Sequence, residues 1–162
     1  MMYCLTCGLK RPNNFKSNVC PKCKSYLKYV EAPAKSTVIK FYRAGLAVSY
    51  ATAEVYSYAN CAIHTTNINI GLAKPYQASV FRQLPNGVGY VLPSSSKYED
   101  HISLEHLLAP IRTYGMLRYE VPYLDHTEAK TILKKKLKEL DAWVDEALED
   151  GWISICNLAG LL

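Results

Sequence analysis

From Thr37 onward the chain alternates apolar and polar positions in short runs. Ile39, Phe41 and Arg43 interleave with Val38, Lys40 and Tyr42 as far as a break at Gly45. Residues 46–58 are rich in β-branched and aromatic side chains, which favours a strand, although the alanines among them also allow a helix. Alternation returns over Cys61–Ile70 and stops at Gly71. Two further apolar runs, Ala78–Leu84 and Val88–Leu92, flank Pro85-Asn86-Gly87, and Asn-Gly in that setting signals a hairpin. Residues 37–92 are therefore expected to form four or five mostly antiparallel strands. Met116–Tyr123 is expected to add one more, at an edge because Pro122 cannot donate to a ladder.

The period changes near the C-terminus. Ala129, Ile132, Leu133, Leu137, Leu140, Trp143, Val144, Ala147 and Leu148 recur at steps of three and four, which predicts one long helix over residues 126–150. Asp125 is placed to cap it, with Glu128 three residues on, and Gly151 to stop it. Its charges run against the helix dipole: Lys130, Lys134, Lys135, Lys136 and Lys138 come first, and Asp141, Asp145, Glu146, Glu149 and Asp150 follow. That order is either a solvated face or a place where a partner, including a second copy of the chain, meets the basic half. A shorter helix is expected over about residues 103–110, from a cap at Ser103 to Pro110. The tail after Trp152 is apolar enough to pack back on the body, with no secondary structure assigned.

The first 30 residues follow no such period. They carry Cys4-Leu5-Thr6-Cys7-Gly8 and Cys20-Pro21-Lys22-Cys23, two Cys-x-x-Cys pairs separated by residues 8–19. Each pair can turn two thiolates toward one point, and two pairs supply the four corners a tetrahedral Zn²⁺ requires. Gly8 allows a tight knuckle and Pro21 stiffens the second turn. Two disulfides, a redox Cys-x-x-Cys pair and a rubredoxin-type iron site are the competing readings. Against them stand the lack of an export signal, the presence of two pairs where a redox motif has one, and the closer spacing of the pairs. The segment resembles the zinc-ribbon family of four-cysteine zinc fingers. The resemblance covers residues 1–30 alone and implies that Cys4, Cys7, Cys20 and Cys23 ligate one structural zinc ion. A closed four-thiolate shell leaves no position for chemistry.

The fold class expected is thus α+β: a small N-terminal Cys₄ zinc ribbon (1–30), a linker (31–36) and an α+β domain (37–162). The sheet of that domain would lie within 37–92 and 116–123, with one short and one long helix after it. Nearly half the residues are hydrophobic and a fifth are charged, so a packed core is expected. No run is apolar enough to span a bilayer and no signal pattern opens the chain, which gives the expectation of a cytoplasmic protein.

Charge narrows the function classes. The net charge is +5, and residues 1–30 contain Lys10, Arg11, Lys16, Lys22, Lys24 and Lys28 without one acidic residue. Part of this offsets the formal −2 of a four-thiolate zinc site; the remainder attracts polyanions. These six cations are the candidate contacts to nucleic acid or to another partner, and Phe15, Tyr26 and Tyr29 either stack on bases or form the module's own core. Thirteen tyrosines suit a half-exposed sheet or a binding face.

Catalytic patterns are weak. His101 and His106 lie five apart, off one helix face, and with Glu105 make at most a weak ligand site. Cys61 and His64, three apart on a strand, point to opposite faces. There is no Gly-rich phosphate loop. Binding is therefore expected over catalysis: a nucleic-acid contact through the basic module, or alternatively a protein–protein adaptor or inhibitor of the kind mobile elements encode.

Overall fold

A computed structural model of the chain describes residues 1–13, 17–59, 62–92 and 113–162. Its centre is a mixed sheet of seven strands: β1 (Met2–Tyr3), β2 (Lys10–Arg11), β3 (Lys28–Val30), β4 (Val48–Ser57), β5 (His64–Leu72), β6 (Gly89–Val91) and β7 (Gly115–Tyr123). Their order is β2-β1-β3-β4-β5-β7-β6. Among the described residues only β3 and β4 run parallel, with Tyr29 opposite Tyr50 and Val30 opposite Ala51; the other neighbours are antiparallel. The architecture is α+β, as the residue pattern indicates, with the strands that flank the cysteine turns, β1 to β3, at one side of the sheet.

The parallel pair explains the largest departure from the expected strands. Parallel neighbours need a crossover of a dozen or more residues, usually helical. The segment over 31–47 supplies it as a 3₁₀ turn, Ala32–Ala34, and helix α1, Lys35–Arg43. Residues 37–43 are therefore helical and not a strand. Ala34, Thr37, Val38, Phe41 and Ala44 are the buried positions, which is helical spacing. The run is too short for two-fold alternation to be told from a helical stripe.

Residues 78–84 are the second correction. They form a 3₁₀ turn, Ala78–Phe81, and pair with no strand among the described residues, so Asn86-Gly87 does not join two paired strands. The carbonyls a ladder would use are taken by indoles: Trp143 Nε1 donates to Arg82 at 2.8 Å and Trp152 Nε1 to Val80 at 3.0 Å. Pro85–Val88 still turns, with Gly87 at φ +80° and Val88 N–H donating to the Pro85 carbonyl. The strand after it, β6, pairs with β7 instead. β7 lies between β5 and β6 over Met116–Arg118, while among the described residues its end from Tyr119 to Tyr123, including Pro122, pairs only with β5.

Helix α2 (His126–Glu149) and helix α3 (Trp152–Leu158) complete the fold. Asp125 caps α2, accepting from Glu128 N at 2.7 Å, and Gly151 at φ +75° separates α2 from α3. The apolar stripe of α2 packs on one sheet face with α1, where Phe41, Phe81 and Trp143 form a ring cluster. α3 turns the tail inward at Ile153 and Cys156. The reversed charge order of α2 has tertiary causes. Asp145 accepts from Lys40 of α1 at 2.5 Å, and Asp150 from Arg82 at 2.7 Å. Lys136, at a core position, donates to the Asn86 carbonyl and to Glu139. The expected helix at 103–110 lies outside the described residues.

Candidate metal centre

Two turns of the same design face each other. In the first, Cys4 N–H donates to the Leu9 carbonyl and Gly8 N–H to the Cys4 carbonyl, both at 2.8 Å. In the second, Cys20 N–H donates to the Ser25 carbonyl at 2.8 Å and Lys24 N–H to the Cys20 carbonyl at 2.9 Å. The residue after each second cysteine is left-handed: Gly8 at φ +76° and Lys24 at φ +64°. A Cβ on Gly8 would meet nothing within 4 Å, so the glycine serves the dihedral and not a close approach. Lys24 adopts the same conformation at the cost of a side chain.

These turns bring four sulfurs together. The thiol atoms of Cys4, Cys7, Cys20 and Cys23 lie within 4.8 Å of one another. Cys4 Sγ is 3.3 Å from Cys23 Sγ, and Cys7 Sγ is 3.6 Å from Cys20 Sγ. A disulfide needs about 2.05 Å, and all four cysteines are free. A tetrahedron with sulfurs about 2.3 Å from its centre has edges of about 3.8 Å, and the cluster surrounds a site of that size. The four residues can hold a metal ion with every ligand supplied by the chain.

Protons are shared unequally across the cluster. Burial pushes the Cys4 thiol up to about 12. Hydrogen bonds from the Ser25 side chain and backbone, with a further one from Cys4, pull Cys23 down to about 6. For Cys20, burial acts upward but the Cys23 and Lys22 amides outweigh it, and the thiol is lowered. Four ionised sulfurs this close require a cation among them.

Around the cluster sits a small core of its own: Met2, Cys4, Cys20 and Leu27, with Leu9 and Tyr29 packed against it. Of the three aromatic candidates for that core, Tyr26 takes no part, being 51% exposed. Tyr29 is half-buried and its hydroxyl donates to Glu31. Two hydroxyls that the spacing gave no reason to single out tie the site together. Thr6 Oγ1 donates to Ser25 Oγ at 3.1 Å and lies 3.0 Å from the Tyr42 hydroxyl of α1. A hydroxyl inside the first Cys-x-x-Cys and another two residues after the second are the only sequence signals for this clasp.

The six candidate cations are placed differently from one another. Lys10, Lys22 and Lys24 are exposed and Arg11 is half-buried. Lys28 is buried to 9% exposure, and that burial lowers its pKa to about 8. Lys16 and Phe15 lie outside the described residues, as do His101, Glu105, His106 and Cys61. His64 opens β5, with Nδ1 2.6 Å from the Ser57 hydroxyl, and its ring is 5.0 Å from that of His126. Among the described residues the four cysteines are the only metal-compatible cluster of three or more such side chains, and no helix is long and apolar enough to cross a membrane. The chain matches no family model, no curated protein and no solved structure with which it was compared.

Proposed function

We propose that the cluster binds one Zn²⁺ ion through Cys4, Cys7, Cys20 and Cys23, that the ion is structural, and that the basic surface it supports contacts nucleic acid. The observation that carries the metal is the convergence of four free thiols from two matched turns. All-thiolate tetrahedral sets favour zinc among divalent metals that do no redox work. A shell filled by the chain leaves no open coordination position, so the ion holds the turns and takes no substrate.

The nucleic-acid reading rests on charge left over once the interior is satisfied. Lys10, Lys22 and Lys24 stand exposed on the two turns and the strand between them, and residues 1–30 hold no acid. Phosphate contacts of this kind make affinity fall steeply with salt. The test is binding of labelled oligonucleotides to zinc-loaded protein across a salt series, with Lys10→Ala, Lys22→Ala and Lys24→Ala combined. Tight binding with a steep slope, lost in the triple variant, supports the reading. A stoichiometric protein partner that survives nuclease, with no oligonucleotide binding, transfers the function to the adaptor class.

A further inference from the structure

We infer that the contact surface continues from the two cysteine turns onto the C-terminal end of α1, and that its mixture of unopposed cations and exposed tyrosine rings selects single-stranded nucleic acid. This rests on the reading that the turns meet nucleic acid at all. The Tyr42 hydroxyl is 3.0 Å from Thr6 Oγ1, which is 3.1 Å from Ser25 Oγ. One chain of hydroxyls thus joins the last turn of α1 to both cysteine turns and fixes the residues beside it. Arg43 adjoins Tyr42; Lys24 and Tyr26 flank Ser25. Arg43 and Lys24 are exposed, and so are the rings of Tyr26 and Tyr42, the latter to 37%. At the other end of α1 the Lys35 ammonium lies 4.9 Å from the centre of the Tyr3 ring, on the strand between β2 and β3.

Charge on this side of the molecule is sorted by direction. Residues 1–53 contain nine Lys and Arg and a single acid, Glu31; residues 54–162 contain ten and thirteen. Glu31 is used internally, accepting from the Tyr29 hydroxyl and from Ala53 N–H. Lys40, on the side of α1 facing α2, is neutralised by Asp145. Among the described residues no carboxylate pairs with Lys10, Lys22, Lys24, Lys35 or Arg43. Those five would meet phosphates. A duplex keeps its bases stacked inside, so exposed rings gain nothing from it, whereas unstacked bases of a single strand can lie on Tyr26 and Tyr42. Single-stranded DNA and RNA share this chemistry.

The test uses full-length, zinc-loaded protein and anisotropy of a labelled mixed-sequence strand, as DNA, as RNA and as the matching duplex. At least one single strand should bind more tightly than the duplex. Lys35→Ala with Arg43→Ala should weaken binding and flatten the plot of log affinity against log salt by about 1.4, the value for two single-strand phosphates. Tyr26→Ala should weaken binding by about five-fold or more with the slope unchanged. Tyr42→Phe, which keeps the ring, should bind like the parent, and Tyr42→Leu should not. Lys130→Ala, Lys134→Ala and Lys138→Ala together, on the exposed basic stripe of α2, should change nothing. Tighter duplex binding, or parent-like affinity in Lys35→Ala with Arg43→Ala, in Tyr26→Ala or in Tyr42→Leu, overturns the inference; if Lys10, Lys22 and Lys24 still matter in that case, the nucleic-acid reading survives without it. Dependence on the α2 stripe also overturns it. Absence of binding to any nucleic acid removes both.

Discussion

The two sides of the sheet are held together by different physics. On the α1–α2 side, one continuous core runs from Val38 and Phe41 through Ile68, Ile70 and Leu117 to Leu140 and Val144. On the cysteine side, the strands are two or three residues long; Tyr3 and Val30 reach the main core, and the cluster around the turns is Met2, Cys4, Cys20 and Leu27, two of them cysteines of the candidate metal site. A cluster that small cannot offset the conformational entropy of ordering some 30 residues, which costs on the order of 1–2 kcal/mol each. The first region folds on apolar burial. On the proposed reading, the second needs an ion held by its four cysteines in addition to its apolar contacts.

The largest test of this contrast removes a ligand. Cys20→Ser, or strong chelation, should abolish the structure of residues 1–30, because metal binding supplies on the order of 10 kcal/mol to sites of this kind. Hydrogen exchange should then be fast for Cys4 to Leu27, while β5, β7 and α2 keep their protection. Loss of protection throughout would show that the sheet, which runs unbroken from β2 to β6, makes one cooperative unit. The converse change is Trp143→Ala. It removes the ring stacked on Phe41 and tilted against Phe81 and the bond to the Arg82 carbonyl, and should cost about 3–5 kcal/mol. Bound zinc per chain should stay the same in whatever fraction remains folded.

Two smaller effects sharpen the boundary between the regions. Lys28 sits on β3, where the cysteine strands join the long ones, and burial lowers its pKa to about 8. The folded chain therefore binds fewer protons than the unfolded chain between pH 8 and the ordinary lysine range. Stability should rise with pH across that window, and the cost should be fully present below it. Lys28→Met should remove the slope and stabilise the protein at neutral pH by about 2 kcal/mol, a figure reduced for solvent screening of the ammonium. Lys24→Gly should be smaller still. It relieves a left-handed lysine at φ +64° and should stabilise the holo form by about 1 kcal/mol, seen as a higher melting temperature with unchanged metal content.

What the residues revealed in advance follows from how local each signal is. The cysteine turns, the Asp125 cap, the stripe of α2 and the stop at Gly151 are set within a few residues, and all were legible. The long strands β5 and β7 were legible too, from their alternation; β4 was favoured by its β-branched and aromatic content, with a helix left open by its alanines. α1 was not. Its helical state is fixed by the parallel pairing of β3 with β4, a fact about strands on either side of it. Residues 78–84 carry strand-like composition, but two indoles from α2 and α3 occupy their carbonyls. The Thr6–Ser25–Tyr42 clasp depends on α1 reaching back to the cysteine turns, so no spacing rule within residues 1–30 could have found it.

The most direct measurement is X-ray absorption at the zinc edge, on protein purified without added metal and quantified by elemental analysis. The account predicts one zinc per chain with four sulfur neighbours at about 2.3 Å. A folded protein without zinc, or a zinc bound by nitrogen or oxygen, would contradict it.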